Sequence, residues 1–186
     1  MFDGRFALVT GAAQGMGFAA ASKFLEMGFG GVLLLDRNTV KLTEAAARLK
    51  PLGRVETLSG DLMDVSLPAR AVAAAVAAFG RLDVLVNAAG NTERCGLDDT
   101  TPEAFERLFG VNTRAPLFMM QEAVKAMRVN RSGTIINMSS MLSHGGGRPT
   151  SPPIPPPRRR STFSRARRPT RWRAMESASS PSTSAG

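Results

Sequence analysis

The sequence predicts an α/β fold: a doubly wound parallel sheet with helices on both faces, followed by a tail that fits no such architecture. Three observations predict it. Short apolar runs alternate with segments of helical period through the first 140 of 186 residues. A glycine-rich turn, T-G-A-A-Q-G-M-G over Thr10–Gly17, joins the first strand pattern to the first helix pattern. Near His144–Arg148 the alternation stops and proline, arginine and serine take over.

The elements follow in order. Phe6–Thr10 is an apolar run ending at the glycine turn. Gly15–Met27 carries Phe18, Ala21 and Leu25 at helical spacing, with Gly28 as a stop signal. Val32–Leu35 is continuously apolar, as a strand covered on both faces must be. A helix is predicted over Val40–Leu49, ended by Pro51 and Gly53, and a third strand over Val55–Ser59. Leu67–Phe79 is rich in Ala and Val and reads as a helix with Ser66 as its N-cap. Leu82–Val86 is the fourth strand, Pro102–Leu108 and Ala115–Arg128 are helices, and Thr134–Asn137 is the fifth strand. Right-handed βαβ units follow from this alternation.

Charge divides the chain in the same place. Residues 1–147 carry 15 basic and 14 acidic residues, whereas 148–186 carry nine arginines and only Glu176. The pI of 11.3 therefore belongs to the tail. Residues 149–186 also hold eight of the twelve prolines and no apolar periodicity, so they are expected to be disordered. The domain organisation read here is 1–148 folded and 149–186 tail. The lone Cys95 excludes an internal disulfide and fits a reducing, cytoplasmic setting. No apolar run reaches the roughly 20 residues of a membrane span, and the first strand pattern starts too early to leave room for a signal peptide. The tail arginines lack interleaved aromatics beyond Phe163 and Trp172, so specific nucleic-acid recognition is not expected.

The turn carries chemistry. Gly11 permits the strand-to-helix bend, Gly15 allows backbone to approach a pyrophosphate, and Gly17 allows close packing of helix on strand. The helix N-terminus then offers N–H donors and a favourable dipole to phosphates. Asp36 ends the second strand about 20 residues later, where an acid accepts hydrogen bonds from a ribose 2′-OH and repels a 2′-phosphate. That favours NAD over NADP, although Arg37 beside it could accommodate a phosphate.

Further positions extend this pattern, and together they resemble the short-chain dehydrogenase/reductase family over residues 1 to about 148. Thr10–Gly17 has that family's T-G-x-x-x-G-x-G spacing. Asp61-Leu62 matches its adenine-binding pair, and Asn87-Ala88-Ala89-Gly90 resembles its N-N-A-G motif with Ala88 in place of the second asparagine. Asn112 in V-N-T matches the asparagine of the catalytic helix, and Ser140 in I-I-N-M-S-S matches the catalytic serine. The resemblance implies a Rossmann fold with strand order 3-2-1-4-5-6-7, of which the sequence supplies five strands. It implies an oxidoreductase moving hydride between NAD(H) and a small alcohol or ketone. Gly11, Gln14, Gly15, Met16, Gly17, Asp36, Asp61, Leu62, Asn87, Ala88, Ala89, Gly90 and Val111 would line the cofactor, with no metal. Asn112 would hold a proton-relay water and Ser140 would polarise the substrate.

The family's tyrosine, about thirteen residues beyond the serine, and the lysine four further on are absent. Thirteen from Ser140 is Pro153, no lysine follows Lys125, and the chain has no tyrosine at all. The genetic code offers a reason. Read one base earlier, the codons from the last base of Pro153 through Arg160 permit Y-x-x-x-K-A-A-V, the missing motif at its expected place. This reading makes the tail out of frame from a point near residues 148–152, and the chain an inactive fragment unable to form the family's oligomer. The alternative is a non-catalytic dinucleotide-binding or interaction protein whose basic tail is its working part.

Overall fold

The computed structural model describes residues 2, 4–92, 96, 98–139 and the backbone of 164–165. Five strands run parallel: β1 (Phe6–Thr10), β2 (Gly31–Asp36), β3 (Val55–Ser59), β4 (Val84–Asn87) and β5 (Thr134–Asn137). Helices α1 (Gly15–Glu26), α2 (Thr39–Leu49), α3 (Leu67–Phe79), α4 (Pro102–Phe109) and α5 (Ala115–Val129) connect them. The order across the sheet is β3-β2-β1-β4-β5, extended by a two-residue β6 (Ser164–Arg165) antiparallel to β5. The doubly wound Rossmann architecture expected from the alternation is therefore present.

Strand residues alternate between two apolar layers. Ala7 and Val9 of β1, with Val32 and Leu34 of β2, face Ala21, Leu25, Leu42 and Leu49 of α1 and α2. Leu8, Leu33, Leu35 and Leu85 face the other way, onto Ala71 and Ala75 of α3 and Met119 and Ala123 of α5. Every residue of β2 from Gly31 to Leu35 is buried, as two covered faces require. Each fully buried Leu contributes about 1.5–3 kcal/mol from removal of apolar area alone.

Local chemistry sets the ends. Asn38 caps α2, its side chain accepting from the Lys41 N–H at 3.0 Å, and Thr101 caps α4 ahead of Pro102. Ser66 holds the expected N-cap position of α3, but it is itself helical and lacks the side-chain bond expected of a cap. Asp64 closes the turn ahead of the helix, its Oδ1 accepting from the Ser66 N–H at 2.8 Å and from the Ser66 hydroxyl at 2.7 Å. These two bonds, and then the nearby Arg70, hold the exposed Asp64 carboxyl below the usual aspartate range.

Two further expectations need adjusting. The fourth strand begins at Val84 and runs to Asn87, because Thr10 pairs with Asn87 and draws the strand one residue further than its apolar run. The tail was expected to contribute no element, yet Ser164 and Arg165 pair with Ile135 and Thr134. The rest of that tail lies outside the described residues. β5 stays only half-buried along its length, in contrast to the buried β1 and β4.

Candidate functional site

Strand order reverses between β1 and β4, and the loops leaving the carboxyl ends of β1, β2, β3 and β4 part there around a cleft of about 300 Å³. The glycine turn brings Gly11, Gln14, Gly15, Met16 and Gly17 to it. Leu35, Asp36 and Arg37 come from the end of β2, and Gly60, Asp61 and Leu62 from the turn after β3. Ala88, Ala89, Gly90 and Asn91 follow β4, and Val111 reaches in from the α4–α5 junction. Every residue expected from the sequence to line the cofactor is here except Asn87. That residue is buried in β4, and its side-chain amide donates to Asn137 Oδ1 across the sheet at 2.8 Å. Asn87 is thus a strand-to-strand tie, set one residue before the chain turns toward the cleft.

The glycines act differently from one another. At Gly11, with φ +65°, an added Cβ would stand 2.7 Å from Ala89 Cα, so this turn presses directly on the segment after β4. At Gly17 a Cβ would overlap the Gly11 carbonyl oxygen. At Gly15, with φ +58°, no described atom beyond its chain neighbours and its own helix backbone lies within 4 Å of the Cβ position, which leaves room for ligand atoms against bare backbone. Helix α1 begins here with Gln14 extended, no side-chain cap and no acid in its first turn. Its first N–H groups are therefore left to an external acceptor.

Thr10 fastens this turn to the opposite wall. Its buried hydroxyl accepts from the Ala88 and Ala89 N–H groups, both at 3.1 Å. Sequence reading included Thr10 in the motif without giving it this role. Asp36 accepts from the Ala13 N–H at 3.1 Å and the Asn38 N–H at 3.0 Å, which points its carboxylate along the rim. Lys41 donates to Gln14 Oε1 at 2.9 Å across the same rim. Leu35, Gly60 and Asn91 were not anticipated as lining residues. Each adjoins one that was, and strand ends at a switch point expose neighbouring residues together.

Asn112 sits in a π-helical turn, Gly110–Arg114, between α4 and α5. Its side chain clasps Asn91, accepting from the Asn91 N–H and donating to the Asn91 carbonyl, both at 2.8 Å. This places the Asn112 turn at the edge of the cleft, next to Val111. Ser140, Cys95 and His144 lie outside the described residues. Among the described residues, no group of three His, Cys, Asp or Glu stands close enough to hold a metal ion. No helix among them is long and apolar enough to cross a membrane.

Comparison with known proteins agrees with this geometry. The family described as short chain dehydrogenase matches residues 5–151. The chain is 38% identical over 144 residues to short chain dehydrogenase andC of Emericella variicolor, covering 75% of this chain and 54% of that protein. It is 33% identical over 145 residues to galactitol 2-dehydrogenase of Agrobacterium fabrum and 35% identical over 145 residues to sorbitol dehydrogenase of Cereibacter sphaeroides. Each of these matches covers 77% of this chain and 56% of the relative. The chain thus spans about half the length of the curated relatives it matches. Among solved structures, NAD+-bound xylitol dehydrogenase superposes with a TM-score of 0.74 at 27% identity, over 78% of this chain and 56% of that one. A metagenomic short-chain oxidoreductase in complex with NADP superposes with a TM-score of 0.71 at 34% identity, over 75% and 64%.

Proposed function

Since the chain belongs to the short-chain dehydrogenase/reductase family, we propose that its cleft takes NAD(H) and serves an oxidoreductase acting on a small alcohol or ketone. The observation that carries this is the start of α1: an uncapped helix N-terminus without acids, behind a Gly15 that leaves its backbone bare. A pyrophosphate fits the donor set and the space. Asp36 at the rim supplies the acceptor for a ribose diol and repels a 2′-phosphate, so NAD(H) is preferred to NADP(H). Asp61 and Leu62 border the adenine end, and Ala88, Ala89 and Gly90 form the wall that Thr10 holds in place.

A bound nicotinamide would supply or accept the hydride. The chain's own contribution is to bind, orient and manage a proton. Asn112 fixes the segment after β4 through Asn91, and Ser140 is proposed to polarise the substrate oxygen. The family's tyrosine, which would exchange that oxygen's proton, has no counterpart in this sequence. The chain as written is therefore an inactive form. We attribute this to a reading-frame shift near residues 148–152. The family match supports this placement by ending at residue 151. Galactitol and sorbitol dehydrogenases among the relatives make polyols and their ketoses the first substrates to try. The test is a frame-restored protein assayed on a polyol panel with NAD and NADP. Turnover with NAD supports the proposal, and a folded, NAD-binding protein inert on every alcohol and ketone opposes it.

A further inference from the structure

The π-helical turn Gly110–Arg114 touches two cleft loops, and Asn112 accounts for only one of them. The other is the turn after β3. Arg114 donates from its Nη2 to the Met63 carbonyl at 3.2 Å, and the same nitrogen lies 3.9 Å from the Met63 sulfur. The contact spans 51 residues of sequence. Among the described residues Arg114 has no carboxylate partner. Its Nε is buried and makes no hydrogen bond among the described residues. Met63 in turn packs against Gly110, where any Cβ would collide with its sulfur.

The same Met63 is held from its other side, because Asp61 Oδ1 accepts from the Met63 N–H at 2.9 Å. The Asp61–Met63 turn is thus pinned at both ends of Met63, once by Asp61 itself and once by a guanidinium from a distant helix. Asp61 and Leu62 line the cleft, whereas Met63 and Arg114 do not. A charge-assisted bond to a partly buried carbonyl is stronger than a neutral one and fixes the acceptor's direction.

We infer that Arg114 is a positioning residue for the adenine end of the cleft, holding the Asp61–Met63 turn in its ligand-ready shape. The inference rests on the dinucleotide reading proposed above. Arg114→Met keeps the length and apolar stem of the side chain while removing its donors. Arg114→Lys keeps a charged donor able to reach one carbonyl.

The experiment uses the full chain and reads equilibrium binding of NADH and AMP, with amide hydrogen exchange over residues 60–64. In R114M, affinities for NADH and for AMP both fall by about tenfold, the scale of one charge-assisted hydrogen bond. Affinity for nicotinamide mononucleotide stays unchanged, exchange over residues 60–64 accelerates, and R114K recovers at least part of the loss. Unchanged AMP affinity and unchanged exchange in R114M would overturn the inference. So would equal losses for AMP and the nicotinamide mononucleotide, which mark a general loosening. If R114M fails to fold, Arg114→Gln, uncharged and too short to reach the Met63 carbonyl, carries the test: weaker AMP binding with faster exchange over residues 60–64 and unchanged nicotinamide mononucleotide affinity supports the inference, and any other result overturns it. Failure of the unsubstituted chain to bind NADH would overturn the dinucleotide reading itself, and the Arg114 inference with it.

Discussion

Replacing Thr10 by Val removes one oxygen and changes little else in shape. In the native structure that oxygen accepts two backbone N–H groups, Ala88 and Ala89, each at 3.1 Å, from a residue only 1% exposed. After the substitution both donors lose their partner against the buried end of β1. A buried donor left unpaired costs about 1–3 kcal/mol. Ala88 and Ala89 border the cleft, so water can reach part of the gap and the low end applies to each. The expected destabilisation is therefore about 2 kcal/mol. With an m-value of about 1–3 kcal/mol per molar urea, the unfolding midpoint should fall by about 1 M. Thr10→Ser is the control: it keeps the oxygen and loses one buried methyl, worth about 0.8 kcal/mol. Urea denaturation followed by circular dichroism reads both. NADH affinity should fall in T10V as well, because the wall carrying Ala88–Gly90 is no longer latched to the glycine turn. A T10V midpoint within about 0.2 M of the unsubstituted chain, or T10S as damaging as T10V, would refute this account of the latch.

Three other outcomes are expected. Asp36→Ala should narrow the preference for NADH over NADPH by roughly tenfold, since one carboxylate near a 2′-phosphate is removed; equal affinities in the unsubstituted chain would contradict the reading. The chain as written should turn over no alcohol or ketone, because acid–base assistance worth about 10²–10⁴-fold has no residue to provide it; steady NADH production abolished by Ser140→Ala would show otherwise. Asp64→Asn should lower the melting temperature at neutral pH. The Asp64 carboxyl titrates below its ordinary value in the folded state, so its contribution is full above the ordinary aspartate range and is lost as pH falls through the lower folded value. The gap between unsubstituted and D64N chains should therefore close as the pH is taken below the folded-state value of Asp64, and a gap that persists once the carboxyl is protonated would count against the role given to Asp64.

Where one physical signal dominated, the sequence was easy to read. β1 and β5 have the bounds their apolar runs suggest, and α3 runs from Leu67 to Phe79 as its periodicity indicates. The glycine turn was legible because Gly11, Gly15 and Gly17 meet backbone constraints that few other residues satisfy. Other features depend on three-dimensional competition. Ser66 stands at the N-cap of α3 as its position suggests, but its hydroxyl turns back to Asp64 instead of onto the helix N–H groups. Asn87 matched a motif, yet the alternation of side chains along β4 turns it onto Asn137 instead of into the cleft. The π-helical turn at Gly110–Arg114 has no compositional signature, since one extra residue in a helical turn leaves the surrounding pattern intact. The roles of Thr10 and Arg114 rest on contacts across 78 and 51 residues, which no local pattern encodes.

The measurement that bears most directly on the central claim is NADH binding to the full chain and to two variants at Gly15. The position has φ +58°, which Asn and Asp tolerate better than other side chains, and beyond its chain neighbours and the backbone of its own helix no described atom stands within 4 Å of a Cβ placed there. Asp at the first turn of α1 also complements the helix dipole, so Gly15→Asp should remain folded. If the start of α1 holds a pyrophosphate, Gly15→Asp puts a carboxylate where phosphate oxygens belong, while Gly15→Asn adds nearly the same bulk without charge. The account predicts saturable binding of one NADH per chain, a partial loss in G15N and a further loss of at least about tenfold in G15D. NADH affinity in G15D equal to that in G15N, or no binding by the unsubstituted chain, would contradict it.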